Sequence, residues 1–158
     1  MATLFTIGYE AASLDQCISA LTAAGVERVI DVREAPRSRK AGFSKGALAA
    51  ALAEAGVDYL HLRPLGTPKP GRVAAHKGDL ETFERIFREH LAGEEAQAAL
   101  AQAAAIAGER RCCLLCFERD PARCHRSIVA DAMADLSDIE IVHLVAEAEP
   151  SRAQGPPG

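Results

Sequence analysis

Residues 4–32, LFTIGYEAASLDQCISALTAAGVERVIDV, decide the fold. Leu4-Phe5-Thr6-Ile7 is a short apolar run stopped by Gly8, the pattern of a buried strand. Ser13 stands three residues before Gln16, the spacing of a capping box, and so marks a helix start. Leu14, Ile18 and Leu21 give that helix an apolar stripe, and Gly25 supplies its stop. Arg28-Val29-Ile30-Asp31-Val32 is a second strand. A strand, a helix and a strand with joints this short predict a right-handed parallel unit.

The same reading extends along the chain. Residues 34–45 lose periodicity and gain charge, as a loop does. Ser44 is placed to cap a helix carrying Leu48, Ala51, Leu52 and Ala55, closed by Gly56. Residues 57–62 alternate and predict a third strand. Residues 64–78 hold three prolines and three glycines and read as a long loop, a feature often functional in compact domains. Helices are expected over 80–91 and 94–107, the second rich in alanine. Cys112-Cys113-Leu114-Leu115-Cys116-Phe117 is the most apolar strand and is expected at the sheet centre. Asp120 and Pro121 predict a helix start, with the helix running to Leu136, and residues 139–144 form the last strand. The expectation is a three-layer, Rossmann-like α/β domain over residues 1–146. Its central sheet is mostly parallel, with about five strands. Residues 147–158 are expected to form a flexible tail.

Composition narrows the function classes. The 158 residues suit one domain, and a net charge of −4 excludes a nucleic-acid-binding polycation. The amino-terminal residues carry no basic segment, and no run approaches the roughly 18 apolar residues of a membrane span, so a soluble cytoplasmic protein is expected. Five cysteines, an odd number, argue for reduced thiols rather than a disulfide framework.

Ligands of parallel sheets bind beyond the carboxyl ends of the strands, so residues just after each strand are the candidates. Tyr9 and Glu10 follow the first strand. Asp31, Arg33, Arg37, Ser38, Arg39, Lys40 and Lys45 lie at or after the second. His61 and Arg63 lie at the third, and Cys116, Glu118, Cys124, His125 and Arg126 at the fourth. The basic loop after the second strand suits phosphate, carboxylate or a nucleic-acid backbone; its plain alternative is a solvated surface. Asp31 is placed either for acid–base work or to anchor the loop's backbone. Cys116, Cys124 and His125 offer a nucleophilic thiolate or a metal site, with a cysteine spacing that matches no standard zinc motif. Cys124 also falls on a stripe with Ile128, Ala132 and Leu136, which would make it core. Cys17, Cys112 and Cys113 read as core, and His61 and His143 as structural.

Taken in order, Thr6-Ile7-Gly8-Tyr9-Glu10, Val29 to Arg33, Pro36, Ser38-Arg39, Gly42 to Lys45, Tyr59, His61, Leu65-Gly66, Leu114 to Glu118 and Cys124-His125-Arg126 resemble the domain of unknown function numbered 488. The resemblance spans about residues 3–145. It implies that Tyr9, Asp31, Arg33, Ser38, Cys116, Glu118, Cys124, His125 and Arg126 occupy shared motif positions, and it brings no reaction with it. A fainter resemblance links the Val29–Arg33 strand, Cys116 and Arg126-Ser127 to rhodanese-like sulfurtransferases. Seven residues without glycine separate Cys116 from Cys124, where a rhodanese loop is short and glycine-containing.

Three functions follow as expectations. The first is an enzyme for a phosphorylated small molecule, a nucleotide or a nucleic-acid end. Arg33, Arg37, Ser38, Lys45 and Arg126 would hold the anion. Cys116, Glu118, His125, Asp31 and Tyr9 would act on or orient the substrate. The second is a thiol or metal protein built on Cys116, Cys124 and His125, serving sulfur transfer, redox sensing or metal binding. The third is a non-enzymatic module that binds nucleic acid or a protein. The sequence names no cofactor and no oligomeric state.

Overall fold

The computed structural model describes residues 1–146. Its elements are β1 (Ala2–Gly8), α1 (Leu14–Ala23), β2 (Arg28–Asp31), α2 (Lys45–Glu54), β3 (Asp58–His61), α3 (Lys69–His76), α4 (Leu80–Leu91), α5 (Glu94–Glu109), β4 (Cys112–Cys116), α6 (His125–Leu136) and β5 (Ile139–His143). Single 3-10 turns cover Arg63–Leu65 and Pro121–Arg123. The five strands form one sheet in the order β3-β2-β4-β1-β5, and every pair is parallel.

Alternation along the strands divides the core in two. Leu4, Ile30, Leu114 and Cys116 face one side, against Phe87, Leu100, Ala103, Val129 and Met133 of α4, α5 and α6. Phe5, Ile7, Val29, Cys113 and Leu115 face the other, against Cys17 and Leu21 of α1 and Leu48 and Leu52 of α2. The result is a three-layer α/β domain. Right-handed crossovers explain which helix goes where. The chain steps from β1 through β2 to β3 in one direction, so α1 and α2 share a face. It then returns to β4 and on to β5 in the other direction, so α5 and α6 cover the opposite face. β4 lies between β1 and β2, at the sheet centre, with all five residues buried. A crevice at strand carboxyl ends belongs where the chain direction reverses.

Three local expectations change. Residues 64–78 are not one loop: they hold a 3-10 turn and α3. Their prolines sit at the N-cap (Pro68) or in the first turns (Pro64, Pro70) of these elements, where no backbone N–H is required, so proline starts helices here rather than excluding them. Ser44 is the N-cap residue of α2, but its hydroxyl does not cap. That hydroxyl instead accepts from Ser38 N (3.1 Å) and donates to Ser38 O (3.2 Å), closing the basic loop. The single helix expected from Pro121 to Leu136 is a 3-10 turn, a break at Cys124, and then α6. The capping box of α1 is present as read. The segment read as a tail, residues 147–158, lies outside the described residues. Among the described residues no helix is long and apolar enough to cross a membrane.

Candidate functional site

The site grows from the carboxyl ends of β1 and β4. Their pairing continues past the sheet, with Tyr9 N donating to Cys116 O (3.2 Å) and Glu10 N to Phe117 O (2.8 Å). Gly8 permits this approach, because a side chain there would collide with the backbone carbonyl of Glu118. Cys116, Phe117 and Glu118 are thereby held along Gly8, Tyr9 and Glu10.

The second half of the site comes from the break before α6. Asp120 accepts from Ala122 N (2.9 Å) and sets the 3-10 turn, after which Cys124 is extended (φ −130°, ψ 144°). Cys124 is thus the N-cap of α6, not a residue of its first turn, and its sulfur accepts from Arg126 N (3.4 Å). The sulfur therefore sits at the positive end of a twelve-residue helix.

One donor atom from each of Cys116, Glu118, Cys124 and His125 lies within 4.8 Å of all the others. Cys116 Sγ is 3.9 Å from Glu118 Oε1, and Cys124 Sγ is 3.8 Å from His125 Nδ1. His125 Nε2 is 2.6 Å from the carbonyl of Val32. A carbonyl only accepts, so Nε2 carries the hydrogen and Nδ1 keeps its lone pair toward the sulfur. Burial lowers the His125 pKa to about 4, with the Val32 hydrogen bond opposing and Arg126 adding to the fall, so the ring is neutral at pH 7. Burial raises the Glu118 pKa, opposed by its own backbone N–H and by Arg126.

The sequence predicts separate thiols, whereas the sulfurs of Cys116 and Cys124 are in bonding contact, as in a disulfide. Their α-carbons are 7.6 Å apart, beyond the roughly 4.4–6.8 Å that a disulfide joins. The backbone therefore suits two sulfurs that converge on a common point better than it suits a bridge. Cys17, Cys112 and Cys113 are free and fully buried.

Arg126 is fully buried. Its guanidinium donates to Thr6 Oγ1 (3.0 Å), Cys116 Sγ (3.3 Å), the Glu118 carbonyl and Arg119 O (3.2 Å). The Thr6 hydroxyl passes the bond on to His143 Nδ1 (2.6 Å). Among the described residues Arg126 has no carboxylate ion pair. A buried cation with neutral acceptors alone is costly, and the nearby Glu118 and Asp120 carboxylates oppose the effect of burial on it.

The second buried arginine is already neutralised. Asp31 Oδ1 accepts from Arg33 N (3.1 Å) and Nε (2.9 Å), and Oδ2 accepts from Arg33 NH2 (2.7 Å) and Tyr59 OH (2.5 Å). Arg33 NH1 donates to Phe43 O and Tyr9 OH. Burial works against the Arg33 charge, yet the Asp31 carboxylate outweighs it and the pKa rises. Tyr9 is buried, stacked on Phe43 at 4.2 Å and edge-on to Phe117 at 5.4 Å. His61 holds Arg33 O (2.7 Å).

A cavity of about 1150 Å³ opens beside the cluster. Of the residues expected from sequence, Tyr9, Glu10, Arg33, Arg37, Ser38, Cys116, Glu118 and His125 line it; Asp31, Arg39, Lys40, Lys45, His61, Arg63, Cys124 and Arg126 do not. Arg33 and Arg126 spend their donors inside the protein, Ser38 accepts from Lys40 N (3.0 Å), and Lys45 is exposed at the start of α2. The wall also holds Thr67, Arg72, His76, Phe117 and Arg123, which sequence reasoning passed over. Thr67, Arg72 and His76 lay in the stretch read as loop, and Phe117 was counted as strand. The Asp-Pro helix-start signal at residues 120–121 lies beside Arg123.

The family model described as domain of unknown function DUF488 matches residues 13–133. No curated protein and no solved structure matches the chain.

Proposed function

Since the chain belongs to the DUF488 family, described only as a domain of unknown function, we propose a function from the site itself: a metal-dependent enzyme acting on a small molecule in the cavity. Cys116, Cys124 and His125 Nδ1 are the ligands of a divalent transition metal of zinc's class. Glu118 is either the fourth ligand or the group that moves a proton. The observation that carries this reading is the convergence of four donor atoms from two segments on one buried point.

Three further features support it. Two of the separations, 3.9 Å for Cys116–Glu118 and 3.8 Å for Cys124–His125, approach the edges of a tetrahedron whose bonds are about 2.0–2.3 Å long; the two sulfurs, in bonding contact, would part to take theirs. The Val32 carbonyl fixes His125 in the tautomer a ligand needs, as outer-shell partners of metal-bound histidines do. Arg126 and the α6 N-terminus favour the thiolate forms. Two cysteines and a histidine with a nearby glutamate are also the complement that zinc deaminases use to activate water. A zinc-class ion supplies Lewis acidity and an activated water. Cys116, Glu118 and His125 face the cavity, so one side of the cluster is open to substrate. Arg33 and Arg126 do not hold the anion in this reading; they build the frame.

The test is metal analysis of the purified full chain, followed by cobalt exchange. About one metal per chain and thiolate-to-cobalt absorption are expected. Both should be lost in Cys116→Ser and Cys124→Ser. Chelation of the wild type should lower its thermal midpoint reversibly, by mass action. Absence of bound metal, no cobalt–thiolate absorption and an unchanged midpoint would overturn the reading. In that case a thiol titration of Cys116 in the reduced protein takes over, because the Arg126 guanidinium beside it also suits a nucleophilic sulfur.

A further inference from the structure

Apart from Glu118, the acids of the cavity wall already have partners. Glu34 binds Arg72 (2.6 Å) and Arg63 (2.8 Å), Glu10 accepts from Arg119 N (3.0 Å), and Asp120 caps its turn. Two exposed arginines of the same wall, Arg37 and Arg123, make no side-chain hydrogen bond or ion pair among the described residues. They come from two different segments of the wall: Arg37 from the loop after β2, Arg123 from the turn before α6. Phe117, also in the wall, is 43% exposed, a large aromatic surface left uncovered beside Tyr9. Thr67 lines the cavity too; it is only 3% exposed, and its hydroxyl oxygen has no hydrogen-bond partner. A buried orphan of this kind calls for an explanation, and a polar guest in the cavity provides one.

We propose that this cavity takes a nucleoside monophosphate, with its ring against Phe117, its phosphate between Arg37 and Arg123, and a polar group of the ligand completing Thr67. The inference rests on the same cavity as the metal reading and names its substrate class. Guanidinium forks match phosphate geometry in two-bond pairs, and an aromatic face accepts any base by stacking. The placement brings the base toward Cys116, Glu118 and His125, which share the wall with Phe117. Free guanidiniums alone would take inorganic phosphate as readily. The exposed ring is what favours a nucleotide.

Titration calorimetry on the protein as purified, with AMP, CMP, adenosine, ribose 5-phosphate, inorganic phosphate and a 5′-phosphorylated oligonucleotide, tests it. AMP or CMP should bind about tenfold or more tightly than adenosine and than ribose 5-phosphate. Arg37→Ala and Arg123→Ala should each weaken the nucleotide about tenfold and leave adenosine unchanged. Phe117→Ala should bring AMP down to the level of ribose 5-phosphate. All three positions are exposed, so the variants keep the fold. Silence toward the mononucleotides, equal binding of AMP and adenosine, or variants without effect would overturn the inference. Tighter binding of the oligonucleotide than of AMP would overturn it in favour of a nucleic-acid end. Metal content is read separately: a metal-containing protein without nucleotide binding sinks only this inference, and a metal-free protein that binds AMP sinks only the metal reading.

Discussion

Asp31→Asn separates a structural arginine from a ligand-binding one. All four groups facing the Asp31 carboxylate are donors in the wild type: Arg33 N, Nε and NH2, and the Tyr59 hydroxyl. An asparagine must turn its amide NH2 toward one pair of them. If it faces Arg33 NH2 and Tyr59, the tyrosine hydroxyl can rotate and accept, but the guanidinium cannot. One charge-assisted bond is lost, and a buried cation, 7% exposed at the side chain, loses its only carboxylate. Breaking a buried pair from one side costs about 3–5 kcal/mol. In a chain of this size that lowers the thermal midpoint by roughly 10 °C. Arg33→Met should cost about as much, since it strands the carboxylate instead. The double variant should fall short of the sum by about 2 kcal/mol or more, because the second substitution removes a group already left unpaired. Tyr59→Phe removes a single bond and should cost about 1 kcal/mol. Urea unfolding followed by circular dichroism measures all four. Additivity within about 0.5 kcal/mol, or an Asp31→Asn variant as stable as the wild type, would refute the argument and return Arg33 to the list of anion-binding residues.

Two further outcomes are expected. Arg72, and after it Arg63, hold the Glu34 carboxyl below its ordinary value of 4.5 against a smaller effect of burial. A depressed folded pKa means that the contribution is present above the ordinary carboxylate pKa and is lost as pH falls through the folded value. Glu34→Gln should therefore flatten the acid limb of the stability–pH profile and change neutral stability by less than about 1 kcal/mol; an identical acid limb would exclude this linkage. Burial pushes the thiols of Cys17 and Cys112 up to about 12 and about 11, and that of Cys113 well above its usual value. At pH 8 only roughly one part in a thousand or fewer is thiolate. Iodoacetamide should then spare these three in the native, reduced and chelator-treated protein, label Cys116, which lines the cavity, and reach all five cysteines in urea; native labelling of Cys17 at the rate of Cys116 would count against the burial assigned to it.

The sequence by itself determined the frame of this protein. The β1-α1-β2 unit, the central position of β4 and the placement of the site at strand ends all follow from local signals. These are the apolar runs, the Ser13–Gln16 box, the stop at Gly25, and the fixed hand of parallel crossovers. It also gathered Cys116, Glu118, Cys124 and His125 on one rim, and they do converge. Only the tertiary structure decided what each side chain does there. Arg33 and Arg126 look alike in sequence to Arg37 and Arg123. Yet Arg126 bonds Thr6, 120 residues away, while Arg33 bonds its own near neighbour Asp31 under the cover of Phe43 and Tyr59. Burial and long-range hydrogen bonding set those roles, and neither leaves a periodic trace in the chain. The same holds for Cys124: the stripe expected with Ile128, Ala132 and Leu136 is not the core face of α6, which buries Val129, Ala130 and Met133 and leaves Leu136 exposed, and the extended backbone at the α6 cap turns the Cys124 sulfur toward Cys116. Local periodicity fixes which elements form; the partners of a polar atom are fixed only when distant segments pack and water is excluded.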